Sequence, residues 1–151
     1  MIRYFLSVFL LIFSIAVLYA QNVWTRCSNG LPKDTAVLSL ARIDNTLFAG
    51  TDKAGVYKSL DNGNNWVALP SDRLLKNSQT WSMTTIDTFL FLGQRGGGIL
   101  KNSLNGNQWS EMNNGIGSGK KIIQDVIAID NTLYAASYGG GVFVSTDSAN
   151  S

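Results

Sequence analysis

The chain contains no histidine and one cysteine, and only 15% of its 151 residues are charged. Without histidine it lacks the commonest metal ligand and the commonest general base of enzymes. The lone cysteine, Cys27, excludes an intrachain disulfide, and we expect its thiol to be buried. Glutamate is also scarce, since Glu111 is the only one. The composition therefore predicts no catalytic residues, no bound metal and no cofactor.

Residues 1–20 have the pattern of a secretory signal peptide. Arg3 supplies a basic start, and Ala20 precedes a change to polar residues at Gln21. The apolar run between them is about 16 residues long, shorter than the roughly 20 that a membrane-spanning helix needs. Retention of this segment as an N-terminal anchor is the alternative. We expect cleavage after Ala20 and a secreted, periplasmic or extracellular domain over residues 21–151.

The charge balance of residues 21–151 is close to neutral. Once Arg3 is removed, 11 basic residues stand against 10 acidic ones. Such a balance offers no electrostatic attraction for nucleic acid or for an anionic lipid surface. We therefore predict no nucleic-acid partner and, after leader cleavage, no membrane partner. The scarcity of charge, together with many Gly, Asn, Ser and Thr residues, suits a turn-rich all-β protein.

One motif repeats at an interval of 43 residues. The segment Ile43–Gly50 returns as Ile86–Gly93 and again as Ile129–Ala136. A period of about 40–50 residues with strand-like content is typical of propeller blades. Within each repeat, apolar runs separated by turn residues indicate short antiparallel strands. We predict an all-β fold, a partial β-propeller of three four-stranded antiparallel blades, with repeats at approximately residues 36–70, 79–112 and 122–151.

Tryptophan spacing predicts an offset of one strand between the two ends of the array. Trp24, Trp66 and Trp109 lie 42 and 43 residues apart, so Asn22–Thr25 is predicted as an outer strand without a blade of its own. At the other end the sequence reaches only the third strand of the third repeat. The recurring apolar positions are expected to form cores between blades. Because propellers usually have 4–8 blades, we expect two open blade faces that promote self-association.

A turn motif follows the third predicted strand of each repeat. The first copy matches S-x-D-x-G-x-x-W in full, the second keeps the glycine and tryptophan, and the third keeps the serine and aspartate. These residues are Ser59, Asp61, Gly63 and Trp66, then Gly106 and Trp109, then Ser145 and Asp147. The motif resembles the Asp-box, or bacterial neuraminidase repeat, of sialidases, xyloglucanase-type glycosidases, sortilin-like receptors and photosystem II stability factors. The resemblance covers residues 21–151.

The resemblance implies a propeller whose Asp-boxes lie on the face opposite any active site, so Asp61 and Asp147 are expected to stabilise turns. A sialidase-like site would need three arginines, a tyrosine nucleophile with a glutamate partner and an aspartic acid, and this set does not carry over. A xyloglucanase-like site would need two facing aspartates. Asp44, Asp87 and Asp130 are evenly spaced, but they occupy the same turn of each repeat, as a structural role predicts.

The turns between the second and third predicted strands form our candidate binding face. They hold Asp52, Arg95 and Tyr138, with Trp81 at the start of an inner strand and Arg73 in a nearby loop. Arginine, tyrosine and tryptophan bind sugars and peptides through bidentate hydrogen bonds and stacking. Ordinary solvated turn residues are the alternative. We expect a non-catalytic binding or scaffold module whose ligand is a carbohydrate or a protein.

Three interpretations of the whole chain stay open. It is the N-terminal fragment of a larger propeller of about six to eight blades, or a short subunit that pairs through exchanged outer strands into a six-blade ring. In the third interpretation it is part of a glycoside hydrolase, sialidase-like or xyloglucanase-like, whose catalytic residues lie in other blades.

Overall fold

The computed structural model describes residues 24–70, 73–75, 78–103 and 108–147. Strands dominate this part of the chain, and its helical content is one 3₁₀ turn at Ser118–Lys120. None of the helices formed by the described residues is long and apolar enough to cross a membrane. The predicted signal peptide, residues 1–20, lies outside the described residues.

The strands form three antiparallel sheets, one in each repeat. The first sheet contains β1 Val37–Ile43, β2 Thr46–Thr51, β3 Val56–Ser59 and β4 Val67–Ala68 in that order. The second contains β5 Thr80–Ile86, β6 Phe89–Gln94, β7 Gly98–Ser103 and β8 Ser110–Glu111. The third contains β9 Ile123–Ile129, β10 Thr132–Ser137 and β11 Gly141–Ser145. The predicted all-β fold is confirmed, and over the described residues the third sheet has the three strands that were predicted for the third repeat.

The first hairpin of every sheet closes on an aspartate in the left-handed backbone region. The φ angles of Asp44, Asp87 and Asp130 are 50°, 51° and 52°. Aspartate tolerates this conformation better than most residues because its short polar side chain bonds locally. The equal spacing of the three aspartates therefore reflects one turn geometry used three times.

Two apolar cores lie between the sheets. The first joins the facing sides of the first and second sheets, and the second joins the second and third sheets. The first core contains Ile43, Phe48, Val56, Leu75, Met83, Leu90, Leu92, Leu100 and Trp109. The second contains Ile86, Phe91, Ile99, Ile116, Ile123, Val126, Leu133 and Ala135. Because each sheet alone would expose its apolar side chains, stacking of neighbouring repeats stabilises the array.

The outer faces of the first and third sheets are open. Leu40 on β1 is 68% exposed, whereas Met83 and Val126 at the same repeat position are 8% and 1% exposed. The pattern reverses at the other end, where Ile129 is 56% exposed and its equivalent Ile86 only 6%. Residues of core type are thus uncovered wherever the array lacks a neighbouring sheet.

Within one chain, the predicted outer strand at Asn22–Thr25 does not form over its described part. Trp24 and Thr25 belong to no strand, and the Trp24 side chain is fully exposed. An outer strand forms only on the edge of a sheet, and no described strand of this chain pairs with the segment.

The expectation of a buried Cys27 is also wrong, because its side chain is exposed. The Cys27 segment lies beside the first sheet, where Trp66 Nε1 donates to the Cys27 carbonyl at 3.0 Å and Asn29 bridges to Asn65. These contacts hold the backbone on one side only. Because no sheet of the described residues covers this segment, the thiol is accessible to solvent.

Candidate functional site

The turns between the second and third strands are tied to the connections that lead from one sheet to the next. Asp52 bridges to Gln79, and Arg95 bridges to Ile122. The Arg95 amide donates to the Gln79 carbonyl at 3.1 Å, and the Tyr138 amide donates to the Ile122 carbonyl at 2.9 Å. These backbone contacts arrange the variable turns along one end of the three sheets.

Side-chain contacts connect three of the predicted site residues, Asp52, Arg95 and Trp81, and Gln79 links the first two. Gln79 Nε2 donates to Asp52 Oδ1 at 2.7 Å, and Arg95 Nη1 donates to Gln79 Oε1 at 3.2 Å. The Arg95 guanidinium also lies 5.6 Å from the centroid of the Trp81 ring, within cation–π range. The four residues form one continuous group, which we call the Arg95 cluster.

Gln79 was missed by the sequence reasoning, although a signal for it exists. The equivalent repeat positions are Ala36 and Ile122, so an amide stands where the other repeats have apolar side chains. Its amide group accepts from Arg95 on one side and donates to Asp52 on the other. Gln79 therefore fixes the relative position of the basic and acidic side chains.

A depression of about 450 Å³ lies beside the Arg95 cluster. It is lined by Lys53, Gln79, Arg95, Gly96 and Ile122. Two cationic side chains border it, while the Asp52 carboxylate accepts a hydrogen bond from Gln79. The local charge therefore favours an anionic ligand group over a cationic one.

Two of the predicted site residues do not join the Arg95 cluster. Tyr138 is 66% exposed in the adjacent turn and is connected to the cluster only through the backbone of Ile122. Arg73 is exposed in the short segment 73–75, and no contact among the described residues links it to Arg95. Tyr138 is bonded through its amide to Ile122, which lines the depression, whereas neither Tyr138 nor Arg73 lines it.

The complete Asp-box-like turn forms a closed set of hydrogen bonds. Ser59 Oγ donates to Asp61 Oδ1 at 2.8 Å and accepts from the Gly63 amide at 2.8 Å. The Asn65 amide donates to Asp61 Oδ1 at 2.8 Å, and Asn65 Nδ2 donates to Asp61 Oδ2 at 2.7 Å. Gly63 has a φ of 88°, which a residue with a Cβ rarely adopts.

These bonds also change the acidity of Asp61. The Asn65 side chain, the Asn65 amide and the Ser59 hydroxyl hold the pKa of Asp61 below its ordinary value, because each donates to the ionised form. Both carboxylate oxygens are engaged inside the turn. This geometry assigns Asp61 a structural role in the hairpin.

The two incomplete copies of the motif differ in how much of the turn they keep. Gly106 lies outside the described residues, while Trp109 is buried in the first core. In the third repeat Ser145 Oγ donates to Asp147 Oδ1 at 2.7 Å, as Ser59 does to Asp61. Among the residues that the structure describes, no group of three or more His, Cys, Asp or Glu side chains is placed to hold a metal ion.

Three stacked antiparallel sheets with equivalent turns at one end define a partial β-propeller. Solved propeller structures superpose on it. YCF48 bound to D1 peptide superposes with a TM-score of 0.62 and 16% identity, over 76% of this chain and 38% of that one. YCF48 from Cyanidioschyzon merolae also gives a TM-score of 0.62 and 16% identity, over 80% of this chain and 37% of that one. The GH74 xyloglucanase from Xanthomonas campestris gives a TM-score of 0.57 and 16% identity, over 70% of this chain and 18% of that one. The predicted propeller architecture is thus confirmed.

The comparisons support the fold, and they do not extend to function. At 16% identity a structural likeness says nothing about shared chemistry, and this chain spans less than two fifths of either YCF48 chain. No protein-family model and no curated protein sequence matches it. Membership of the Asp-box family in particular stays a prediction.

Proposed function

We propose that the chain is a non-catalytic binding or scaffold propeller module that uses the Arg95 cluster to hold a carboxylate-bearing peptide segment of a protein partner. The proposal rests on the exposure and the contacts of the Arg95 side chain. Its side chain is exposed, yet it contacts both Gln79 and the Trp81 ring. An exposed arginine held in one place is suited to recognition.

The guanidinium of Arg95 retains donors for a ligand. Arginine carries five N–H donors in a planar fork, and Gln79 accepts from Nη1. A carboxylate can accept two parallel hydrogen bonds from such a fork. Because Gln79 and Trp81 already restrict the side chain, binding costs less conformational entropy than it would at a free arginine. Lys53 adds positive charge at the edge of the depression.

A peptide is favoured over a sugar for two reasons. The depression is open to solvent, and its lining residue Ile122 accepts a hydrogen bond from the Tyr138 amide, an arrangement that suits an extended segment lying across several turns. The similar propeller YCF48 is named as bound to D1 peptide, so this fold accommodates peptide ligands. A carbohydrate with a uronic-acid group would use the same arginine and the same tryptophan ring, and it is therefore an arm of the test.

Fluorescence anisotropy tests the proposal by measuring the binding of short labelled peptides that differ in net charge. Oligogalacturonide and xyloglucan oligosaccharides are measured in the same way. We expect the acidic peptides to bind and Arg95→Gln to weaken them about tenfold or more, since hydrogen bonds to charged groups contribute about 1.5–3 kcal/mol. Arg42→Gln is the matched control, because Arg42 is exposed at the opposite end of the first sheet and contacts the Asp44 carbonyl.

Preference for basic or neutral peptides, or equal affinity in the Arg95→Gln and Arg42→Gln proteins, would refute the peptide proposal. If oligogalacturonide were the one ligand that bound, and Arg95→Gln abolished this binding, the ligand of the site would be an acidic carbohydrate and not a peptide.

The glycoside hydrolase interpretation is kept as a second proposal. It is supported by the superposition on a GH74 xyloglucanase propeller, of which this chain spans 18%. The catalytic residues would then lie in blades other than the three described here. Hydrolysis of xyloglucan or of a sialoside by the purified chain would contradict the non-catalytic proposal directly.

We also infer that the protein is exported, from the basic residue, apolar run and Ala20 of the leader. The intact mass of the protein recovered from an exporting host tests this inference. A chain that starts at Gln21 is expected, and an uncleaved chain in the membrane fraction would indicate an anchor.

A further inference from the structure

A groove of about 530 Å³, lined by both apolar and polar residues, lies between the second and third sheets along β11. Its lining includes Ile99, Met112, Leu133, Phe143 and Val144. Among the described residues β11 pairs only with β10, so it forms the edge of the third sheet. The groove therefore combines apolar side chains with a strand edge, the two features that an added strand requires.

The groove corresponds to an occupied site one repeat earlier. The residues 43 positions before Ile99, Met112, Leu133 and Phe143 all belong to the first core or pack against it. These residues are Val56, Leu69, Leu90 and Leu100. Together with them lies Trp109, which is 4% exposed. The groove is the third-repeat counterpart of the site that Trp109 fills between the first and second sheets.

Trp24 has the sequence position of the side chain that such a groove takes. It precedes Trp66 by 42 residues, and Trp66 precedes Trp109 by 43. It lies 13 residues before Val37, the start of β1, as Trp66 lies 14 residues before Thr80, the start of β5. Yet Trp24 is fully exposed, whereas Trp66 is 7% exposed.

Trp24 cannot reach the groove of its own chain. The backbone at Cys27 is held beside the first sheet by Trp66, and three extended residues span about 10 Å. Packed sheets are about 10 Å apart, so the edge of the third sheet is about 20 Å from the first. A Trp24 side chain that fills this groove therefore belongs to a second copy of the chain.

We propose that the Trp24 segment of one copy of this chain adds to β11 of a second copy as its fourth strand, with Trp24 filling the groove. The exchange is reciprocal, because each copy has one Trp24 segment and one groove. Two arcs joined in this way would form a six-blade ring. The inference is independent of the ligand proposed for the Arg95 cluster.

The open faces of the two arcs support the same pairing. In the ring, the outer face of the first sheet meets the outer face of the partner's third sheet. Leu40 on the first face is 68% exposed, and Ile129 and Val142 on the third are 56% and 74% exposed. All three occupy repeat positions that are buried wherever a neighbouring sheet is present. Their burial supplies the apolar contact that a stable dimer needs.

The two existing outer strands predict the register of the added strand. Lys58 on β3 pairs with Val67, the residue after Trp66, and Lys101 on β7 pairs with Ser110, the residue after Trp109. The equivalent position on β11 is Val144. We therefore expect Val144 to lie opposite Thr25 of the second copy.

A disulfide cross-link tests this register in the mature chain starting at Gln21, with Cys27→Ser to remove the native thiol. Thr25→Cys combined with Val144→Cys should give a cross-linked dimer under mild oxidation, since directly opposed strand residues lie within disulfide reach. The matched control combines Thr25→Cys with Thr88→Cys, which places the second thiol in an exposed turn of the second sheet.

Sedimentation velocity of the Trp24→Ala chain gives a second readout that does not depend on cysteine chemistry. We expect the dimer dissociation constant to rise about 1,000-fold, since each dimer loses two buried tryptophans and each contributes about 2 kcal/mol or more. Leu60→Ala, at an exposed residue of the Asp-box-like turn, is the control and should leave the dimer intact. A native monomer, equal cross-linking of the two cysteine pairs, or dimers unaffected by Trp24→Ala would overturn the proposal.

Discussion

Replacing Gly93 by alanine tests how closely the sheets approach each other. An added Cβ at Gly93 on β6 would stand 2.8 Å from Ile123 Cγ2 and 3.6 Å from Val126 Cγ1 on the third sheet. Carbon atoms in contact are usually about 3.5–4.0 Å apart, so the sheets would have to separate locally by roughly 1 Å. Gly50 has the same relation to Thr80, whereas the third repeat has Ala136 at this position.

Two opposing effects determine how much Gly93→Ala changes the free energy of unfolding. Overpacking a dense core costs about 1–3 kcal/mol, and removing a glycine from a strand contributes about 0.5–1 kcal/mol in the stabilising direction. We therefore expect the free energy of unfolding to fall by about 1–2 kcal/mol. Ile123 Cγ2 belongs to a β-branched side chain, which cannot rotate freely away from the clash.

Gly117→Ala is the matched control for the same chemical change. An added Cβ at Gly117 meets no atom within 4 Å, and its φ of −57° is open to any residue. We expect this variant to be neutral or more stable by about 0.4–1 kcal/mol. Urea titrations followed by tryptophan fluorescence, at one protein concentration, give both values. A Gly93→Ala protein as stable as Gly117→Ala would refute the close packing of the second and third sheets.

Two further predictions concern single polar contacts. Ser82 Oγ donates to Asp125 Oδ1 at 2.5 Å and accepts from the Val126 amide at 3.1 Å. Ser82→Ala should therefore lower the free energy of unfolding, measured by urea titration, by about 1 kcal/mol. An unchanged free energy of unfolding would show that this contact between sheets contributes nothing. The lowered pKa of Asp61 stabilises the folded chain above the ordinary value of 3.8, and this contribution is lost as the pH falls through the lower, folded pKa. Thermal unfolding from about pH 6 to about pH 3 should therefore show a smaller acid-induced loss for Asp61→Ala than for the native chain, and parallel curves would contradict the prediction.

The architecture could be predicted from the sequence because it is encoded locally and three times. The segment Ile43–Gly50 and its two copies fix the strand order, and the aspartate of each copy sets the hairpin turn. Each repeat supports the interpretation of the others, so an error in one strand changes little. The stacking of the sheets follows from the same periodicity, since the recurring apolar positions have no other place to be buried.

The failures concern residues whose surroundings come from another part of the chain or from no part of it. Cys27 was expected to be buried and Trp24 to lie in an outer strand, but no described sheet of this chain covers the first or pairs with the second. Gln79 was overlooked because its role depends on two partners from different turns, Asp52 and Arg95. Composition and spacing predict what a residue can do, whereas tertiary contacts determine which of those roles it takes.

The exposure of core positions at both ends of the array is the central feature of this protein, and the mass in solution of a chain that starts at Gln21 tests it most directly. Light scattering after size exclusion should give twice the mass of one chain, because Leu40 at one end and Ile129 at the other need a covering sheet. A monodisperse monomer that unfolds cooperatively would contradict the account, since it would show that three sheets with two open faces are stable on their own.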